Sequence, residues 1–117
     1  MNRLENHLIG VDQGDVILFS DFDSGGPMWS GHGPRLVRSE VTFETPYKAL
    51  PSVQCWLSML DMSNSANTRM DVQAENISLT GFEIVFRTWG DTKVARVRVA
   101  WMAIGALRYE DDWELDL

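Results

Sequence analysis

Residues Gly81 to Gly105 read GFEIVFRTWGDTKVARVRVAWMAIG, and the alternation within this run decides the fold class. Phe82, Ile84 and Phe86 fall on one side of an extended chain, with Glu83 and Arg87 on the other, the period of two of a half-buried strand. After the polar turn Trp89-Gly90-Asp91-Thr92-Lys93, Val97, Val99, Trp101 and Ala103 share a face opposite Arg96 and Arg98, until the chain becomes apolar on both sides at Met102 and Ile104. The expectation is a hairpin of two registered strands, because a slip of one residue drives the arginines into the core. A turn held by such strands is a rigid loop, where binding groups are usually found.

Upstream of this run, Met70, Val72 and Ala74 alternate with Asp71, Gln73 and Glu75, which predicts a strand with one wet face. Val53 to Leu60 is apolar on both sides, with Val53, Cys55, Leu57 and Met59 against Trp56 and Leu60. Such a strand belongs at the centre of a sandwich or at an oligomer contact. Leu36 to Phe43 places Val37, Val41 and Phe43 on odd positions, and the short run Val16 to Phe19 fits a buried or edge strand. The connections are polar or proline-containing. Ser20 to Arg35 alone holds four of the nine glycines and two of the four prolines, a long surface loop of the kind that is usually functional or disordered. Short strands at this spacing, without a convincing helix, predict an all-β chain folded as a small antiparallel β-sandwich of about six strands. The expected organisation is an N-terminal arm and Gly/Pro-rich loop over 1–35, the sandwich over 36–107 and an acidic tail over 108–117.

At 117 residues and 44% hydrophobic content the chain is one domain with enough apolar mass for a core. Its net charge of −7 comes from 17 acidic and 10 basic residues. Five of the acidic ones, Glu110, Asp111, Asp112, Glu114 and Asp116, crowd into the final residues, so the remaining body is near neutral at −2. A basic stripe for phosphate backbones is absent, which excludes nucleic acid as an expected partner. No apolar run reaches the roughly 20 residues of a membrane span. The start, MNRLENHLIG, lacks the apolar stretch of a secretory signal. Synthesis in the cytoplasm is expected, with release by lysis or on a particle as the outward route. Cys55 is the single cysteine, so an intrachain disulfide is excluded and a buried thiol is expected. In the absence of an export signal, the sequon Asn76-Ile77-Ser78 reads as coincidence.

Catalysis requires a nucleophile with a base, a carboxylate pair in a cleft, or a metal cluster. The sequence offers none of these. His7 and His32 are the only histidines, and neither has a second ligand at metal spacing. Asp21, Asp23 and Asp91 do not follow a calcium loop, and the glycine pairs of the long loop follow no strand-to-helix pattern. No enzyme activity, metal or cofactor is expected. Binding has better material. Sugars are recognised by carboxylates, amides and guanidinium groups that bond ring hydroxyls, backed by an aromatic face. Asp21, Asp23, His32, Asn64, Asn67, Arg69, Trp89 and Asp91 supply those types on loops.

The run VTFETPY from Val41, LSMLD ending at Asp61, Asn67-Thr68-Arg69, ENISLTGFEIVFRTWGDTKV from Glu75, and VAWMAIG ending at Gly105 together resemble the H-type lectin domain of snail agglutinins and slime-mould discoidins. The order and spacing of T-F-x-x-P-Y, L-D, an arginine eight residues later, T-G-F, T-W-x-x-T-K-V and W-x-x-I carry the resemblance. It covers a little over half of the chain. It implies an antiparallel β-sandwich that assembles as a homotrimer, sometimes doubled to a hexamer, and binds galactose or N-acetylgalactosamine between protomers. The family's binding arginine falls on Arg69 and its turn tryptophan on Trp89. Gly90 stands where a histidine is often found, and Ala95 where a tyrosine is. Counting back from Arg35, the family's loop aspartate falls on His32 and its glycine on Ser30, while an insertion brings Asp21 or Asp23 into that role. Asn67, beside the arginine, completes the expected set.

The expected function is therefore a non-enzymatic, carbohydrate-binding module whose ligand is a galactoside or a bacterial surface polysaccharide. The alternative is a structural oligomerisation or attachment module of a larger assembly, such as the spike or fibre of a virus-like particle.

Overall fold

The computed structural model describes residues 1–109 and is built from six strands and one short helical turn. The strands are β1 (Ile9–Ser20), β2 (Arg35–Thr42), β3 (Ser52–Met62), β4 (Met70–Glu75), β5 (Gly81–Thr88) and β6 (Val94–Ala106), with α1 (Pro27–Ser30) inside the long loop. They form two antiparallel three-stranded sheets, ordered β1-β6-β3 and β2-β5-β4. This is the expected β-sandwich of about six strands. The expected acidic tail lies, from Glu110 onward, outside the described residues.

The two strands that decide the fold do not pair with each other. β5 is the centre of one sheet and β6 the centre of the other, so the turn between them is an arch across the sandwich and not a hairpin. The physical reason is in their side chains. Phe82, Ile84 and Phe86 on β5, and Val97, Val99, Trp101 and Ala103 on β6, all belong to one buried cluster. Two such faces can both be covered only if the strands stack face to face. In-plane pairing would leave both stripes on one side of a single sheet. Phe43, Tyr47, Phe82 and Trp101 close the far end of this core through ring contacts of 5.0 to 6.2 Å.

β1 is much longer than Val16 to Phe19, because its register with β6 runs from Ile9↔Ala106 to Ser20↔Arg96. The first sheet thus takes in residues expected in the arm. They read as polar because their inward positions are filled from elsewhere. Gly14 faces the Trp101 indole, and a Cβ there would lie 2.9 Å from its Nε1. Asp12 accepts a hydrogen bond from the Glu44 backbone N–H at 2.9 Å. β3 is not central: it is an edge strand, with Trp56 45% exposed on its outer face, which leaves the other expectation for it, an oligomer contact, open. Cys55 points toward the core but is only partly buried, and burial raises its thiol pKa.

The outer faces of the sheets differ. On the β2-β5-β4 sheet, Arg38 meets Glu83 at 2.9 Å and Arg87 meets Glu75 at 2.7 Å. These pairs surround the outward-facing Val85, which is fully buried. On the β1-β6-β3 sheet, Val11, Ile17, Trp56 and Met102 are exposed instead.

Candidate functional site

Antiparallel order puts the β1–β2 loop, the β3–β4 loop and the β5–β6 arch at one end of the sandwich. Every candidate sugar-binding residue named from the sequence lies at this end. The loops are tied together through backbone groups. Gly33 N–H donates to the Gly90 carbonyl at 2.9 Å, Ser63 N–H to Lys93 at 3.0 Å, and Asp21 N–H to Ala95 at 2.7 Å. Arg35 adds a guanidinium bond from Nη2 to the Gly90 carbonyl at 3.1 Å, while its Nε donates to Gly33 at 2.8 Å.

Arg69 sits where the β3–β4 loop enters β4, and two buried threonines hold its backbone. The Thr88 hydroxyl donates to the Arg69 carbonyl at 2.6 Å. Arg69 N–H donates to Thr92 Oγ1 at 3.0 Å, and that hydroxyl donates in turn to the Asn67 carbonyl at 2.6 Å. Buried polar groups satisfied this way fix a loop as firmly as packing does. The side chain then runs past Gly90 to Asp91, with Nη1 3.4 Å from Oδ1. Gly90 is needed here twice over. Its φ of 69° is left-handed, and a Cβ would lie 3.2 Å from the same Nη1.

Asn67 completes the cluster. Its Nδ2 donates to both Asp91 carboxylate oxygens at 3.2 Å. The Asn67 side-chain bond is the largest cause that lowers the Asp91 pKa, with further help from its backbone N–H and the Arg69 charge. The carboxylate is therefore kept ionised. Arg69 and Asp91 remain almost half exposed, so this is an open rim of matched donors and acceptors. Trp89, one residue before Gly90 on the arch, is 43% exposed and borders a mostly apolar depression on the β2 side, shared with Pro34, Arg35, Leu36 and Arg87. A guanidinium, a carboxylate and a carboxamide held together in this way can bond hydroxyl groups, and the exposed indole on the same arch offers an apolar face.

The structure thus brings Asn67, Arg69, Gly90 and Asp91 together, all four named from the sequence, and sets Trp89 on the same arch facing the β2 side. It places Asp23 elsewhere, in a cleft on the opposite sheet with Phe22, Trp29 and Arg96. His32 precedes Gly33, next to the arch. The Ser30 hydroxyl donates to the Gly25 and Gly26 carbonyls at 2.7 and 3.0 Å, holding α1 in shape. Asp21 likewise serves the loop, accepting from Met28 N–H at 2.9 Å. Thr88 and Thr92 are absent from the sequence candidates. Thr88 does carry a signal, since it continues the inward parity of Phe82, Ile84 and Phe86, and a hydroxyl there requires a buried partner. Thr92 carries none. Among the described residues, no group of three or more His, Cys, Asp or Glu could hold a metal ion.

Comparison with known proteins gives a consistent result. The model of the H-type lectin domain matches residues 38–104. A protein of Fuscovulum blasticum described as ATP synthase subunits region ORF 7 is 56% identical over 108 residues, 92% of this chain and 94% of its own length. A discoidin-1 polypeptide of Dictyostelium discoideum is 36% identical over 75 residues, which are 63% of this chain and 30% of that protein. Among solved structures, recombinant discoidin II of the same organism superposes with a TM-score of 0.73 at 23% identity, over 90% of this chain and 40% of that one. The chain spans less than half the length of the discoidins and nearly all of the Fuscovulum protein.

Proposed function

Because the chain belongs to the H-type lectin domain family, we propose that it is a non-enzymatic lectin module that binds galactose, N-acetylgalactosamine or a bacterial surface polysaccharide at the boundaries of a homotrimer. The observation that carries this reading is the Asn67–Arg69–Asp91 cluster, on an arch that also exposes Trp89. Of the five donors on Arg69, those not directed at Asp91 are available to ligand hydroxyls, and the Asp91 carboxylate retains lone pairs for further donors. Gly90 keeps the rim low enough for a sugar ring to approach. The rim is open on one side, which suits completion by a neighbour: His32 and Ser30, on the loop of the adjacent protomer, are the proposed second wall.

The trimer reading draws support from Val11, Trp56 and Met102, large apolar side chains exposed on the same sheet face, since exposed apolar surface is what an interface covers. The same face favours a second reading, in which the module attaches to or oligomerises within a larger assembly such as a particle spike or fibre. A glycan array combined with light-scattering mass separates them. Galactoside or polysaccharide binding that disappears in Arg69→Ala supports the lectin, whereas silence of the wild type on every glycan, with an intact oligomer, supports the attachment module.

A further inference from the structure

Across the rim from Arg69, on the β1-β6-β3 side, lies a cleft of about 390 Å³ whose walls include Phe22, Asp23, Trp29, Asp61, Ala95 and Arg96. Nothing in the cluster described above uses it. Its size falls in the range of small-molecule sites, and its lining is divided as such sites are, with aromatic walls and a few convergent polar groups.

The aromatic wall is fixed in advance. Phe22 and Trp29 meet edge to face at 4.9 Å, and the Lys93 ammonium lies 5.7 Å from the Trp29 ring centroid. The short helix carrying Trp29 is anchored by its buried neighbour Met28 and by the bond from Met28 N–H to Asp21. Facing this wall, Arg96 Nε lies 3.1 Å from Asp61 Oδ2, so a donor fork and an acceptor stand side by side on adjacent strands. Ala95 contributes only a methyl group, and its place on β6 is held by the bond from Asp21 N–H.

The chemistry discriminates between ligand classes. A cation would normally be drawn to carboxylates beside an indole, but Lys93 already lies over that ring and Arg96 already neutralises Asp61. An anion would meet Asp23 and Asp61. An uncharged ring with vicinal hydroxyls and a C–H face fits the walls: its hydroxyls can donate to carboxylate and accept from guanidinium, while its C–H face lies on the exposed Phe22 beside Trp29. Ala95 is four residues from Asp91, so their Cα atoms are at most about 14 Å apart. A short oligosaccharide covers that span.

We propose that this cleft is a second saccharide subsite, contained within one protomer, that takes a further sugar unit of a glycan whose first unit occupies the Arg69 rim. The inference rests on the lectin reading. The test compares the wild type with Trp29→Ala and with Arg96→Gln, which alters an exposed side chain on a strand and leaves the loop intact. The probes are the best oligosaccharide found on a glycan array and its terminal monosaccharide, titrated calorimetrically. The expected result is unchanged monosaccharide affinity in both variants and an oligosaccharide affinity at least tenfold weaker. If both variants keep the wild-type oligosaccharide affinity, the subsite is refuted while the lectin reading stands. Equal loss for monosaccharide and oligosaccharide also refutes it, because the cleft is then not separable from the rim. A wild type silent on every glycan removes the lectin reading and this one with it.

Discussion

Gly33 donates its backbone N–H to the carbonyl of Gly90 at 2.9 Å, and both residues have left-handed φ angles, 77° and 69°. The long loop and the arch are thereby joined at their two least hindered points, and Arg35 secures the same carbonyl from the side. The joint exists because glycine tolerates this left-handed conformation at both positions. Gly90→Ala is expected to lower stability by about 1–2 kcal/mol through backbone strain. It should also displace Arg69. Urea denaturation reads the first effect, and an unchanged midpoint would contradict it.

Thr92 is the buried knot under the proposed rim. Thr92→Val removes its bonds with Asn67 and Arg69 and leaves a carbonyl and an N–H without their partner. A loss of about 1–2 kcal/mol is expected, because these groups are only part-buried and water can take over some of the lost bonding. Thr92→Ser, which keeps the hydroxyl, should recover most of it. Thermal melts of the two variants provide the check, and equal melting temperatures would show that the hydroxyl is dispensable.

Arg69→Ala separates binding from folding. Its ion pair with Asp91 is exposed, so stability should change by less than about 1 kcal/mol. Loss of charge-assisted bonds to a sugar of about 1.5–3 kcal/mol corresponds to roughly 10- to 100-fold weaker binding. Arg69→Lys should recover little, because an ammonium lacks the planar fork. Full recovery by lysine would mean that charge alone suffices.

Asp91 predicts a pH dependence with a defined sign. Its folded pKa lies below the ordinary aspartate value of about 3.9, because Asn67 and Arg69 favour the charged form. The stabilisation is therefore fully present above the unfolded value and is lost as pH falls through the lower folded one. The stability difference between wild type and Asp91→Asn should be constant from about pH 8 to about pH 5 and shrink below about pH 4. A difference that grew on acidification would reverse the assignment.

Trp56→Glu tests the proposed trimer. The residue is 45% exposed on the apolar sheet face, so a carboxylate there should leave the folded chain intact and reduce the mass in light scattering to that of one protomer. An unchanged oligomer would move the interface elsewhere.

The strands are legible in the sequence because period two is a local property: Phe82, Ile84 and Phe86 announce their face without reference to any partner. Which strands pair is not. A short polar turn such as Trp89 to Lys93 is compatible with a hairpin or an arch, and the choice rests on which faces must be buried together. β1 is illegible for a related reason, since Gly10 and Gly14 are inward positions whose space is taken by Leu107 and Trp101. The candidate site is legible as far as residue type and motif spacing reach, which covers Asn67, Arg69, Trp89 and Gly90. Asp23 can be named but not placed, because a loop of irregular backbone leaves no period from which direction can be read. The supporting role of Thr92 depends on two segments, the arch and the β3–β4 loop, that meet only in the folded chain.

The distribution of strands between the sheets also sets an order of birth. β5 collects β2 and β4, all of which precede it or adjoin it, so that sheet can form as soon as Thr88 has left the ribosome tunnel. β1 and β3 have no sheet partner except β6, and Ile9 must wait for Ala106. During synthesis the nascent chain therefore carries one finished sheet with its apolar face uncovered and two strands still unpaired. Closure is a late event that joins the beginning of the domain to its end, the kind of non-local pairing that slows folding and calls for chaperone protection. A stalled ribosome releasing the chain before β6 would yield a fragment with a complete half-sandwich and no core.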